Sequence, residues 1–157
     1  MSIKIKQFQP SPDKTALSEW AKEELLISLA MHKSDVQKGC AFIANKIIEA
    51  GINHDYTKIS LFDDFMEDNV NLDDFKSGKW YQAHLNQERH HLNKKCPDDV
   101  NLIDIIEMLV DCTATIIARK GVMRVGLTAG DFISDEILSK AFINTVEMLK
   151  NEIILEE

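Results

Sequence analysis

Between Asp99 and Lys120 the side chains of Leu102, Ile105, Ile106, Leu109, Val110, Thr113, Ile116 and Ile117, apolar or nearly so, recur at three- and four-residue steps. That is the period at which residues share one face of an α-helix. A stripe this wide must be covered by other elements, so the run predicts a helix packed into a helical assembly. Two carboxylates, Glu107 and Asp111, stand one turn apart within it. An ionised carboxylate on the covered side of a helix is costly unless it is paired or bound to a metal. Asp111, flanked by Val110 and Cys112, therefore predicts a polar centre inside the fold.

Other runs repeat the helical period. Residues 1–14, with Pro10 and Pro12, read as an irregular lead-in; Thr15 is placed to cap a first helix that reaches about Ala30, with Leu17, Trp20, Ala21, Leu25 and Ser28 in phase. From His32 a second stripe runs through Val36, Cys40, Ile43 and Ile47, and Gly51 stands where a C-cap belongs. His32 is thereby expected to face inward. Residues 59–79, where acidic positions alternate with Phe62, Phe65, Leu72 and Phe75, read as a short helix and a loop through Ser77-Gly78. A further helix is expected from Lys79 or Trp80 to about Lys94, then a loop from Gly121 to Gly130 and a closing helix from Asp135 to Leu155. The expectation is all-α: one domain over residues 1–157, with a metal-binding core over residues 30–120.

Composition narrows the function classes. A formal net charge of −8 argues against a protein that coats nucleic acid, because duplex binding needs a basic footprint. A small phosphate substrate is still compatible with it, since bound cations reverse the field inside one pocket. No apolar run approaches the roughly 20 residues that span a bilayer, and the first residues lack the apolar core of a secretory signal. A cytoplasmic location is expected. Cys40, Cys96 and Cys112 cannot all pair within the chain and form no Cys-x-x-Cys motif, so reduced packing thiols are expected.

The five histidines, His32, His54, His84, His90 and His91, together with Asp55 and Asp111, follow the order H…HD…H…HH…D. Imidazole and carboxylate donors gathered from several helices suit a divalent cation with positions left open for substrate. His54 and Asp55, adjacent at a helix end, can point into one cavity, and Asp55 can bridge two metals. His32 and Asp111 would complete one site; His84 with His91 or His90 would supply a second. His91 is preferred because seven helical residues return nearly to the same face, although they also rise about 10.5 Å, so the helix must break near Asn86 for both rings to act together. His90 is kept as a ligand or phosphate contact. Glu107 would orient a ligating histidine or move protons. Each residue has a plainer reading: His32 as a core histidine, His90-His91 as a surface pair, Glu107 as a salt-bridged glutamate.

The order His32, His54-Asp55, Asp111 resembles the HD-domain superfamily of metal-dependent phosphohydrolases. His84 and His90-His91 are similar to its two-metal branches, including the HD-GYP phosphodiesterases, and Lys58 in His-Asp-x-x-Lys resembles the lysine those enzymes carry. The chain has no Gly-Tyr-Pro, and Thr57 stands where that pattern has glycine. Trp80, His84, Arg89-His90-His91, Glu107-Met108 and Asp111 look like those of a group of small HD-like proteins of phages and bacteria.

The resemblance implies a helical fold and bound divalent metals, in the two-metal branches a pair, with Mn, Fe, Co, Ni, Mg and Zn not distinguished. It also implies a small phosphorylated substrate such as a nucleotide, and it leaves homo-oligomerisation open. Asp55, Lys58 and Glu107 would then serve catalysis. Lys58, His90, Arg89 and Arg119, with Lys120 and Arg124, are the candidate substrate contacts. Two rivals share the same ligands: an HD-type di-iron oxygenase, and a nucleotide-binding module without turnover.

Overall fold

The computed structural model describes residues 2–6, 22–71 and 74–156. They form β1 (Ile3–Lys6), α1 (Lys22–Asn53), α2 (Tyr56–Ser60), α3 (Phe62–Asn71), α4 (Lys79–Gln87), α5 (Leu102–Lys120), α6 (Asp135–Glu152) and β2 (Ile153–Glu156), with short 3-10 turns at Phe75–Ser77 and Ala129–Asp131. The fold is predominantly α-helical, as expected. Thr15, the expected cap, lies outside the described residues. No helix among the described residues is long and apolar enough to cross a membrane.

Two units divide the chain, residues 1–46 with 146–157 and residues 47–145. In the first, the expected irregular lead-in contains a strand: β1 pairs in parallel with β2, with Ile3 opposite Ile153 and Lys6 opposite Glu156. Ile3 is buried, and Lys4 pairs with Glu156 at 2.9 Å. Lys38 ties the strand to the helix, donating to the Lys4 carbonyl at 2.7 Å and to Asp35 at 2.9 Å. The expected break between Ala30 and His32 is absent, because Ala-Met-His-Lys contains neither glycine nor proline and every residue tolerates a helix. Cys40 is exposed, contrary to expectation, whereas Cys96 and Cys112 are partly buried.

In the second unit α1 runs through Gly51 to Asn53, whose side chain donates to the Glu49 carbonyl at 2.9 Å. Asp55 then reverses the chain with φ 56°. Asparagine and aspartate enter this left-handed region more readily than other L-residues, though still at a cost. α5 begins with a capping box: Asn101 Oδ1 accepts from the Ile103 amide and Asp104 Oδ2 from the Asn101 amide, both at 2.9 Å. It ends at Gly121, φ 73°. Ile105 and Met108 of α5 join Leu92, Val100, Ile133 and Ala141 in the core.

The stretch expected to be a short helix and a loop is more ordered than that. Phe65 of α3 packs edge-on against Trp80 at 4.7 Å, Phe75 lies 5.4 Å from the same ring, and Asp68 accepts from the Trp80 amide at 2.7 Å. Trp80 in turn stacks on His84 at 4.7 Å. The aromatic residues of this segment thus form the wall behind a site histidine.

Candidate metal centre

α4 stops at Gln87, and Glu88 turns extended, although helical phase alone predicts continuation to about Lys94. The cause lies 31 residues away. Glu88 is buried, and its Oε1 accepts from the Thr57 amide at 2.8 Å and from the Thr57 hydroxyl at 2.6 Å. This pull breaks the helix and removes the 10.5 Å separation that a continuous helix would impose. His91 Nε2 reaches to 2.7 Å from His84 Nε2.

The hydrogen bonds also fix which ring nitrogens face the centre. Because the Thr57 hydroxyl gives its proton to Glu88, its oxygen must accept from His84 Nδ1, 2.6 Å away. His84 therefore carries its proton on Nδ1 and presents a bare Nε2. Glu107 does the same for two rings at once: its Oε1 accepts from His54 Nδ1 at 2.9 Å and from His90 Nδ1 at 3.0 Å. Three imidazoles thus have the outer nitrogen tied to an oxygen and the inner one turned inward, the arrangement of metal-ligating histidines.

The inner atoms converge. Asp55 Oδ1 lies 3.6 Å from His84 Nε2 and 3.7 Å from His90 Nε2, while Oδ2 lies 3.3 Å from His54 Nε2. His54 Nε2 is 3.6 Å from Asp111 Oδ1. Donors bound tetrahedrally at about 2.1 Å would stand about 3.4 Å apart. Asp55 Oδ1 and His90 Nε2 are buried and have no hydrogen-bond partner. Buried polar atoms are rarely left this way, and a cation between them would satisfy both. Asp55, His84, His90 and His91 form one group able to hold a metal ion, and His54, His90 and Asp111 form another.

The surroundings set the charge states. Burial alone would raise the Asp55 carboxyl, but Lys58, by hydrogen bond and charge, with His54 and His90, holds it below the usual carboxylate range. Burial likewise opposes the charge on Glu107, and the hydrogen bonds from His90 and His54 outweigh it. Burial disfavours His90 as a cation, yet Glu107, Asp55 and Asp111 raise it. His84 is lowered chiefly by burial. His91 is pushed down to about 4 by burial and by repulsion from His90 and His84.

Of the expected ligands, His54, Asp55, His84, His91 and Asp111 come together, and His90 joins both groups where only one of His90 and His91 was expected. His32 does not join them. It is exposed on α1, about six turns before the helix ends, because that helix is unbroken where a new one was expected to begin. Glu107 accepts hydrogen bonds from His54 and His90, the contacts expected of a residue that orients ligating histidines.

Among the expected substrate contacts, only Lys58, half exposed and paired with Asp55 Oδ2, borders the centre. His90 is buried in the ligand set. Arg89 is committed elsewhere, donating to Asp104 at 2.7 and 2.9 Å and to Asp99 at 3.0 Å. Arg119 and Lys120 are exposed in the last turn of α5, and Arg124 pairs with Asp131.

Two residues with a clear role were not foreseen, Thr57 and Glu88. Their separation in sequence leaves no local pattern to read. Comparison with protein-family models, with curated proteins and with solved structures finds no match to the chain.

Proposed function

We propose that the protein is a metal-dependent phosphohydrolase with two divalent ions bridged by Asp55, acting on a nucleotide or related phosphoester. The observation that carries this reading is the two-sided placement of Asp55: Oδ1 faces His84 and His90, and Oδ2 faces His54 and Lys58. His54 and Asp111 would hold one ion, His84 and His91 the other, with His90 between them. Such ions supply an acidified water at neutral pH and neutralise charge on a phosphoryl oxygen.

The chain's own residues do the rest. Glu107 and the Glu88–Thr57 pair hold His54, His90 and His84 in the donor tautomer, so that none of these three rings has to give up an inward proton when an ion enters. Lys58, the cation beside the bridge, is positioned to meet a phosphate oxygen, and this favours phosphate over dioxygen chemistry.

The test is a screen of nucleotides and model phosphoesters with manganese, cobalt, nickel or magnesium, with Asp55→Ala as control. Turnover that the substitution abolishes is expected. No hydrolysis with any metal would sink the proposal. Two irons per chain with an oxygen-dependent visible spectrum would replace it with an oxygenase, and tight nucleotide binding without turnover with a binding module.

A further inference from the structure

Beside the metal groups, the end of α1 and the middle of α5 enclose a cavity of about 330 Å³. Its floor is polar, formed by His54, Glu107 and Asp111, and its walls are Ile47, Gly51, Ile106, Val110 and Ala114. On α5 the division follows from helical spacing. Glu107 and Asp111 form one i, i+4 row, and Ile106, Val110 and Ala114 form the row beside it. Val110 is 62% exposed, and it opens onto the cavity instead of packing into the core. Gly51 and Ala114 keep the space clear, and a Cβ added at Gly51 would meet nothing within 4 Å.

No lysine or arginine is among the described residues that line the cavity, and its only hydrogen-bonding side chains belong to the metal centre. Extra phosphates would find no cation there, and a polar ring edge would find no partner on the walls. The volume is at the small end of the roughly 300–1,000 Å³ typical of organic-ligand pockets, enough for one ring system.

We infer that this cavity is a subsite for an uncharged apolar body, aryl or alkyl, that the substrate carries next to its reacting phosphoryl group. The inference rests on the phosphohydrolase reading and narrows its substrates to phosphoesters whose organic part is apolar, away from polar nucleobases. The enzyme would select a monophosphorylated ester by the bulk of its apolar portion and would disfavour polyphosphates.

The experiment compares 1-naphthyl phosphonate with methylphosphonate on the magnesium- or zinc-loaded protein, followed through the methyl NMR signals of Ile47, Ile106, Val110 and Ala114. The naphthyl compound is expected to bind roughly tenfold or more tightly, as apolar pockets discriminate by bulk, and to shift those methyls. Ala114→Leu, and separately Gly51→Leu, should collapse the affinity ratio; both positions are exposed, so neither change enters the core. Equal affinities in the unsubstituted protein, or an unaltered ratio in both variants, would overturn the subsite. If neither phosphonate binds, 1-naphthol alone decides: shifts at these methyls support the subsite while the phosphate reading falls, and no shifts overturn both.

Discussion

Replacing Glu107 with glutamine tests whether the outer hydrogen bonds prepare the centre for a metal. One oxygen of Glu107 receives His54 Nδ1 and His90 Nδ1 at 2.9 and 3.0 Å. Glutamine keeps the shape but turns two charge-assisted bonds into neutral ones. A hydrogen bond to a charged group contributes about 1.5–3 kcal/mol against about 0.5–1.5 for a neutral one, so the loss is about 2–3 kcal/mol over both rings. At about 1.4 kcal/mol per factor of ten this approaches roughly 100-fold. The metal-free protein also feels part of that loss, which leaves an expected weakening of about 10- to 100-fold in metal affinity. The assay is a competition titration of metal-free protein against a chromophoric zinc chelator. Nitrogen-detected NMR at alkaline pH should show His54 and His90 protonated on Nδ1 in the wild type, with that preference lost in Glu107→Ala. Folded Gln and Ala variants that bind zinc within roughly twofold of wild type, under about 0.4 kcal/mol, would refute the reasoning.

Thr57→Val removes the link between Glu88 and His84 and leaves both short of a partner; a loss of about 2–4 kcal/mol in the urea stability of the metal-free protein is expected, with Thr57→Ser close to wild type. Arg89→Met should cost about 2 kcal/mol, because Asp104 is left buried without its cation while the arginine side chain itself is 40% exposed and partly screened; unaltered stability would show that the pair contributes nothing. Acid should weaken the metal-free protein through His91. Its pKa is depressed from 6.5 to about 4, so the unfolded chain takes up the proton first, and stability relative to His91→Gln falls as pH drops through that window. A pH series of urea midpoints that stays parallel for the two proteins contradicts this.

What could be read from sequence was whatever depends on spacing along one element. The α5 stripe carries its own period, and Glu107 and Asp111 sit on it one turn apart, so both the helix and its polar centre were legible. His32 misled for the opposite reason. α1 exposes Leu26, Ile27, Leu29 and Val36, so apolar residues occur on several of its faces, and a stripe headed by His32 did not mark an inward side. Gly51 resembled a helix end, but the reversal belongs to Asp55. The end of α4 depends on Glu88 meeting Thr57, a contact between distant segments that no periodicity records. For that reason both His90 and His91 could join where helical phase allowed one. The pairing of β1 with β2, which joins the two ends of the chain, was hidden in the same way.

Asp55 has a further consequence. At φ 56° glycine would sit without strain, whereas a non-glycine residue there costs about 1 kcal/mol or more. Its Oδ1 is buried without a partner as well. Asp55→Gly would relieve that backbone cost while removing the carboxylate that draws Lys58, His54 and His90 together, so what the residue contributes lies in its charge and not in its backbone fit.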